Sequence, residues 1–234
     1  MKFEKTWVYG LEPAIIGMRL PMSKNYEDAL SKCDSFNVSD EDKLGESDKR
    51  IMHNLINADK KVGVCQPNSK FLQMIEVWVC IEAPLCFWKE FDTYRHAVKN
   101  STSTMHKIQS YPINDSCFER NPISGKISKL IHIDELEEYR NKYNDYSELI
   151  KNSTSTDEIS NLKKEQKDIW YDLIYGLGDS WLQTRMCHMN YATIQNMCTW
   201  RKNHKQNTWS GKDNTEMDNF YEWVKTLPYS ELIV

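Results

Sequence analysis

The apolar run at 74–81, MIEVWVCI, constrains the fold more than any other part of the chain. Successive side chains of a β-strand point to opposite faces of its sheet, so alternate positions share a face. One face of this run carries Ile75, Val77, Val79 and Ile81, and the other carries Met74, Glu76, Trp78 and Cys80. Because both faces are mostly apolar, we predict a strand that is covered on both sides and lies inside its sheet.

Weaker signals for strands and helices alternate along the rest of the chain. Loose alternation of apolar residues predicts a strand at 2–9 and an extended segment at 180–189, and polar irregular stretches predict loops at 21–46, 58–69 and 112–126. Helix starts are predicted at Ser47, Pro84, Asp134, Ser155 and Asn190, and a short last helix is predicted at about 216–226. Because strands and helices intermix, we expect an α+β fold with a central β-sheet and flanking helices.

Two of the predicted helix starts have the spacing of a capping box, in which two side chains satisfy backbone N–H groups in the first turn. The pairs are Asp134 with Glu137 and Ser155 with Glu158. The two helices follow each other closely, so we expect a helical hairpin at about 134–175. We expect it as an insertion in a single domain that spans residues 1–234.

The charge balance disfavours nonspecific binding to duplex DNA. The 234 residues include 30 basic and 34 acidic side chains, a formal net charge of −4, whereas DNA-binding domains usually carry a basic excess. A local basic patch at 201–212 keeps a nucleic-acid-associated protein open as a weaker alternative. The patch consists of Arg201, Lys202, His204, Lys205 and Lys212.

Cysteine usage and hydropathy favour a cytoplasmic protein. The chain has seven cysteines, an odd number, and no Cys-x-x-Cys motif, so we expect reduced thiols. No apolar run approaches the ~20 residues that a membrane helix needs. The first five residues, MKFEK, are charged and no apolar segment of a signal peptide follows them. We therefore expect no membrane segment.

The polar stretch KNSTSTMH at 99–106 is the first candidate for a ligand site. Adjacent small polar residues do not suit a core, and their hydroxyl and backbone N–H groups can hydrogen bond an anionic ligand. Asn100, Ser101, Ser103 and Thr104 are the candidates here. A metal site is not predicted, because the histidines lack the paired spacing of metal ligands.

The segment KEFDTYRHAVKNSTSTMH at 89–106 resembles the signature of the flavin-dependent thymidylate synthases, the ThyX family. That family carries Gln-x-x-Arg-His-Arg and then Ser-x-Asn-Glu-x-Ser-x-Arg-Tyr. Without gaps, Arg95 aligns with the last arginine of the first motif, Asn100 with the asparagine, and Ser103 with the second serine. A second segment, NYATI from Asn190 followed by Arg201, is similar to the family's Asn-Ala-Arg-Ser-Leu with an arginine seven residues later.

Several motif positions carry other residues than the family's. Glu90 stands for the glutamine, Thr93 and Tyr94 for the first arginine and the histidine, Met105 for the arginine before the last tyrosine, and Ala192 for a third arginine. The family's chemistry needs cations on the nucleotide phosphate and on the uracil oxygen that gains charge. Ordinary thymidylate synthesis therefore requires replacement cations, for which Arg185, Lys99 and Lys107 are available.

The resemblance implies a ThyX-like fold, a bound FAD, and dUMP or a related pyrimidine nucleotide as substrate, with NADPH and methylenetetrahydrofolate if the protein is active. It also implies a homotetramer in which residues 90–104 of one chain approach residues near 190–201 of another. The implied nucleotide contacts are Glu90, Arg95, Ser101, Ser103 and Arg201. The implied cofactor contacts are Tyr94, Arg95, Asn100 and Asn190.

Two functions of different classes follow from this resemblance. The first is an enzyme, a flavin-dependent thymidylate-synthase-like methyltransferase. The second is a catalytically degenerate protein that binds or sequesters a nucleotide or a nucleotide-derived signal. The chain also resembles small phage proteins described as ThyX-like, which carry the segments EFDTY, here at 90–94, and QTR…MNY, here at 183–191. This likeness implies a phage accessory or anti-defence role in the host cytoplasm.

Overall fold

The computed structural model describes residues 1–35, 44–60 and 67–234. The chain divides into two compact units. The hairpin unit comprises Met1, Glu82–Lys89 and Ser101–Thr184, and the sheet unit comprises Lys2–Ile81, Glu90–Asn100 and Arg185–Val234. The predicted boundaries, one domain over 1–234 with an inserted hairpin, stay a prediction.

A four-stranded antiparallel sheet forms the centre of the fold. Its strands are β1 (Lys2–Tyr9), β2 (Glu76–Pro84), β3 (Val98–Ser101) and β4 (Leu182–Asn190), in the order β1-β2-β4-β3. The prediction that the run at 74–81 lies inside its sheet is confirmed, because β2 has a neighbour on each side. The strands expected at 2–9 and 180–189 are confirmed as β1 and β4.

The helices flank this sheet, so the predicted α+β class is confirmed. In the described residues the α-helices are α1 (Leu11–Arg19), α2 (Tyr26–Ser31), α3 (Glu46–Lys60), α4 (Leu85–Phe91), α5 (Thr104–Lys107), α6 (Ile133–Asn152), α7 (Thr156–Gly176), α8 (Tyr191–Arg201), α9 (Asn207–Ser210) and α10 (Phe220–Lys225). Short 3₁₀ segments lie at Leu20–Met22, Pro67–Met74, Ile108–Ser110, Asp115–Cys117 and Ser230–Leu232. No helix in the described ranges is long and apolar enough to cross a membrane.

The inner face of β2 is the centre of the sheet unit's core. Val77, Val79 and Ile81 on this face are completely buried, as is Ile75 just before the strand, in agreement with the predicted alternation. Burial of a valine or isoleucine side chain contributes about 1.5–3 kcal/mol to folding. In the hairpin unit, α6 and α7 pack side by side, and Gln166 of α7 donates to the carbonyl of Tyr143 at 3.1 Å and to the Ser147 hydroxyl at 2.6 Å.

Asparagine and serine caps explain where several helices begin. The Ser155 hydroxyl accepts from the backbone N–H of Glu158, and the Asn190 side chain accepts from that of Thr193, so both predicted starts are confirmed. The last helix is shorter than 216–226, because Asn219 caps it at Phe220.

Three other predictions about local structure are wrong. The expected loop at 21–46 contains α2, which Asn25 caps by accepting from the Asp28 N–H at 2.9 Å. Pro84 ends β2 instead of opening α4. The Asp134–Glu137 capping box is absent from the start of α6, because the Glu137 carboxylate accepts from the Ile113 N–H at 2.7 Å and from Arg140. These contacts occupy the Glu137 carboxylate, which the capping box would need for the first turn of α6.

Some expectations fall outside the described residues. They are the parts of the predicted loops at 36–43 and 61–66, with Cys65 among them. Among the cysteines that the structure describes, free thiols are found at Cys33, Cys86, Cys117, Cys187 and Cys198.

Candidate functional site

The turn between α4 and β3 places two carboxylates and a phenol close together in the sheet unit. Helix α4 ends because the backbone N–H groups of Thr93 and Tyr94 bond to the carbonyls of Glu90 and Phe91, at 3.2 and 3.1 Å. The Thr93 hydroxyl also donates to the Glu90 carbonyl at 2.7 Å. The turn thereby fixes the backbone that carries Glu90, Asp92 and Tyr94.

Asp92 receives two cations. Lys99 Nζ lies 2.9 Å from one of its carboxylate oxygens, and Arg185 Nη1 donates to both oxygens at 3.0 and 3.2 Å. The side chains of Lys99 and Arg185 are only 18% and 15% exposed, whereas Asp92 is 45% exposed. Burial raises the pKa of the Asp92 carboxyl, but the hydrogen bond from Lys99 and the charge and hydrogen bond of Arg185 outweigh burial, so its pKa is lowered.

Both cations occupy positions where a strand normally places an apolar residue. In β4, Arg185 alternates in step with Cys187 and Met189, which are buried. Next to β3, Ala97 is buried, and Lys99 follows it two residues later while its apolar neighbour Val98 is 68% exposed. Two cations therefore lie largely shielded from water on neighbouring strands, with one carboxylate between them.

Arg201 forms a second ion pair beside the first. It is the last residue of α8, where a positive charge is favourable near the helix C-terminus. Its Nη2 lies 2.6 Å from a carboxylate oxygen of Glu90, and its Nε donates to the Tyr94 hydroxyl at 2.9 Å. The Arg201 side chain is 16% exposed and that of Glu90 is 38% exposed. Glu90, Tyr94 and Arg201 thus form one cluster.

Aromatic rings connect the two clusters. Lys99 Nζ lies 5.4 Å from the centroid of the buried Phe91 ring, and the Arg201 guanidinium lies 5.6 and 5.4 Å from the rings of Tyr94 and Trp209. The Phe91 and Trp209 rings stack with centroids 6.2 Å apart. We call this assembly the cation site: Lys99, Arg185 and Arg201, with Asp92 and Glu90 as counter-ions, on a base of Phe91, Tyr94 and Trp209. Its three cations face two carboxylates.

His204 lies at the edge of the cation site. Its ring contacts Trp209 edge-on, with centroids 6.4 Å apart, and its Nδ1 accepts from the Gln206 N–H at 3.2 Å. Burial and the neighbouring Arg201 charge lower the pKa of His204, against the opposing effect of Glu90. A lowered pKa keeps this histidine neutral near pH 7.

Two other predicted residues of the sheet unit have different surroundings. The Asn190 side-chain oxygen accepts from the N–H and the hydroxyl of Thr193, both at 3.0 Å, as the cap of α8. Arg95 is exposed, and within 1–35, 44–60 and 67–234 no side chain forms a hydrogen bond or ion pair with it. Asn100 is exposed in β3.

Ser101 and Ser103 are exposed and belong to the hairpin unit. The Ser103 hydroxyl lies 2.7 Å from Nδ1 of His106, and its side chain does not cap α5. Helix α5 is held by α7, because Trp170 Nε1 donates to the Met105 carbonyl at 3.2 Å. Among the described residues, no three metal-ligating side chains lie close enough together to hold an ion.

The structure therefore brings together three of the predicted site residues, Glu90, Tyr94 and Arg201, within one chain. The approach of these two segments between subunits stays a prediction. Sequence reasoning missed Asp92 and Trp209, and it treated Lys99 and Arg185 only as spare cations. A signal was present, because a lysine and an arginine stand in the buried register of strands β3 and β4.

Comparison with known proteins identifies the fold. No family model and no curated protein matches the sequence. A crystal structure of the flavin-dependent thymidylate synthase ThyX from Helicobacter pylori, complexed with FAD and dUMP, aligns with 100% of this chain and 98% of its own, at 16% identity and a TM-score of 0.54. The chain has the ThyX fold. A second crystal structure of that protein with FAD and dUMP gives 98% and 97% coverage, 16% identity and a TM-score of 0.53.

The predicted ThyX-like fold is thereby confirmed. The prediction rested on two sequence segments that cover a minor part of the chain. A UMP/dUMP methylase, PolB from Streptomyces cacaoi bound with 5-Br dUMP, is also similar, at 11% identity and a TM-score of 0.49 over 99% of this chain and 92% of its own. At these identities the likeness establishes the ThyX fold of this chain and nothing about its ligands.

Proposed function

We propose that this ThyX-fold chain binds a phosphate-bearing nucleotide at the cation site. The observation that carries the proposal is the convergence of Lys99 and Arg185 on the single carboxylate of Asp92. Both cations are largely shielded from water, so an anionic ligand that reaches them would gain strong charge-assisted hydrogen bonds. Arg201 lies on the same aromatic base and Arg95 is exposed nearby in the sequence.

The chemistry of these groups suits phosphate. A guanidinium binds two oxygens of a phosphate through parallel N–H groups, and such charge-assisted bonds are about twice as strong as neutral ones. A lysine ammonium adds a point charge. Lys99 and Arg185 hold equivalent positions against Asp92, so a phosphate oxygen at that carboxylate would meet both of them. The Helicobacter pylori ThyX structures are complexes with FAD and dUMP, and both of these ligands carry phosphate.

FAD fits these residues through its phosphates. Lys99 and Arg185 would hold them, and Arg95 offers a further guanidinium that no described side chain engages. Tyr94 and Asn190 fit less well, because the Tyr94 hydroxyl already accepts from Arg201 and the Asn190 oxygen caps α8. A bound flavin would supply hydride transfer. The chain's own groups would bind and orient it.

The finer activity has two versions, and the geometry favours binding over turnover. FAD-dependent methylation of dUMP or a related pyrimidine nucleotide needs cations that are available to the reacting base. Here Arg201, Arg185 and Lys99 each have a carboxylate partner. A protein that binds or sequesters a nucleotide, in an accessory or anti-defence role of a phage, needs cations for the phosphate but none for the reacting base. The nucleic-acid alternative loses Arg201 from its basic patch, because Glu90 pairs with it.

Calorimetric titration of the purified chain with dUMP, UMP and FAD tests the proposal. Arg185→Gln is expected to weaken nucleotide binding by at least about tenfold, because it removes a charge-assisted bond in a shielded site. Lys225→Gln is the matched control, since Lys225 is a half-exposed cation of the same unit that pairs with Glu222 at 2.6 Å. Unchanged affinity in Arg185→Gln, or no binding of any of the three compounds to the wild type, contradicts the proposal.

Release of tritium from labelled dUMP separates the two versions. The enzyme version expects a yellow protein that releases tritium with NADPH and methylenetetrahydrofolate. The binding version expects dUMP binding without release. Robust release eliminates the binding version, and a colourless protein that takes up no added FAD eliminates the enzyme version.

A homotetramer in the host cytoplasm belongs to the same proposal. In this tetramer, residues 90–104 of one copy should lie close to residues 190–201 of another. Light scattering of the purified chain should give four times the mass of the monomer. A strictly monomeric species contradicts it.

A further inference from the structure

The Arg201 guanidinium forms hydrogen bonds through two of its nitrogens and also lies close to two aromatic rings. The Glu90 carboxylate takes Nη2 at 2.6 Å and the Tyr94 hydroxyl takes Nε at 2.9 Å. The rings of Tyr94 and Trp209 lie 5.6 and 5.4 Å from the guanidinium carbon. The Arg201 side chain is only 16% exposed, so its guanidinium is largely shielded from solvent.

The Glu90 carboxylate and a phosphate are chemically alike toward this arginine. A carboxylate is planar and a phosphate is tetrahedral, but each can present two anionic oxygens that accept from the guanidinium fork at hydrogen-bond distance. The two anions therefore compete for the same N–H groups. Lys99 and Arg185 differ from Arg201 in that both contact the same carboxylate, that of Asp92.

We propose that Glu90 is an internal competitor for Arg201, which an anionic ligand must displace from the guanidinium before that ligand binds there. This inference rests on the proposed function, since it concerns the same cation site. Glu90 thereby sets the affinity of the site. The Tyr94 hydroxyl keeps the guanidinium in place while the carboxylate leaves, because it bonds to Nε and not to Nη2.

The same competition bears on the role that the family resemblance gives to Glu90. A glutamate that contacts a nucleotide has to turn its carboxylate away from Arg201. Nucleotide contact by Glu90 and phosphate contact by Arg201 then become available together. Ligand binding and release of the ion pair are thus one event.

Removal of the Glu90 charge tests the competition. Glu90→Gln keeps the size of the side chain, and it is expected to raise the affinity for dUMP and for inorganic phosphate by about fivefold, the strength of a partly exposed ion pair. Glu222→Gln is the matched control, because it removes the same charge from an exposed pair with Lys225 in the same unit. It should leave both affinities unchanged.

A second background shows whether the effect passes through Arg201. In Arg201→Gln protein, the further change Glu90→Gln should give no gain in affinity. Glu90→Asp serves as a second variant, since its shorter side chain withdraws the carboxylate from Nη2 and should also raise the affinity. Circular dichroism of each variant checks that the fold is kept.

The outcomes separate this inference from the proposed function. A fivefold gain in Glu90→Gln that disappears without Arg201 supports it. Equal affinities of Glu90→Gln and wild type overturn it and leave nucleotide binding intact. If only Glu90→Gln binds dUMP, the competition stands and the wild-type function fails. If neither binds dUMP or phosphate, both are overturned.

Discussion

Asp92→Asn should lower the stability of the chain because it removes the only carboxylate that Lys99 and Arg185 share in the described structure. The substitution keeps the shape of the side chain and removes its charge. It leaves two cations that are 18% and 15% exposed with a neutral amide between them. Hydrogen bonds to charged groups contribute about 1.5–3 kcal/mol when shielded, and exposed ion pairs about 0.2–1 kcal/mol. Because Asp92 itself is 45% exposed, we expect an intermediate loss of about 1–2 kcal/mol at pH 7.

The pH dependence of this loss identifies its electrostatic origin. The pKa of Asp92 is lowered below its ordinary 3.8 in the folded protein, so the carboxylate stabilises the folded state above about pH 4. That contribution is lost as the pH falls through the lowered folded pKa. The difference between wild type and Asp92→Asn in urea unfolding should therefore be full at pH 7 and close to zero below the folded pKa.

The exposed pair of Asp179 with Lys89 supplies the control. Its two side chains are 61% and 66% exposed at a separation of 2.6 Å, so Asp179→Asn should cost less than about 0.5 kcal/mol. The reasoning is refuted if Asp92→Asn costs no more than Asp179→Asn at pH 7. It is also refuted if the loss in Asp92→Asn persists unchanged in strong acid.

Further predictions concern the cap of α8, a titrating histidine and the buried thiols. Asn190→Ala should lower the free energy of unfolding in urea by about 1 kcal/mol, because the first turn of α8 loses its acceptor. Asn190→Ser should keep most of the stability, and equal losses in the two variants would contradict the capping role. Burial and Arg201 lower the pKa of His204, so the stability of the wild type should fall as the pH drops below about 6.5. His204→Gln should make the urea midpoint depend less on pH in this range, and an unchanged pH dependence would count against this reasoning. Burial raises the pKa of the Cys187 and Cys198 thiols to about 12, so mass spectrometry after iodoacetamide at pH 8 should find both unlabelled in folded protein and the partly exposed Cys117 labelled. Labelling of Cys187 at the rate of Cys117 would disprove it.

Local signals predicted the elements whose structure depends on a few neighbouring residues. The interior position of β2 followed from apolar residues on both faces of 74–81, and the start of α8 followed from Asn190. The start of α6 was mispredicted at its capping box because Glu137 bonds to Ile113, 24 residues earlier. No local pattern encodes that contact. Helix α2 was missed because its short, polar sequence has no apolar periodicity.

The candidate site could be predicted only in part, for a similar reason. The family resemblance pointed to Glu90, Tyr94 and Arg201, but no spacing argument predicts a contact between Tyr94 and Arg201, which are 107 positions apart in the sequence. Asp92 was not predicted, since an aspartate in a turn after a helix is usually solvated. Arg185 stands in step with the buried Cys187 and Met189, and that departure from the apolar pattern was the available sign of a site.

A crystal structure of the chain grown with saturating dUMP tests the central claim most directly. The account predicts the phosphate at the cation site, with its oxygens about 3 Å from nitrogens of Lys99 or Arg185. Crystals that place the nucleotide elsewhere, or that contain none at a concentration saturating in solution, would contradict it.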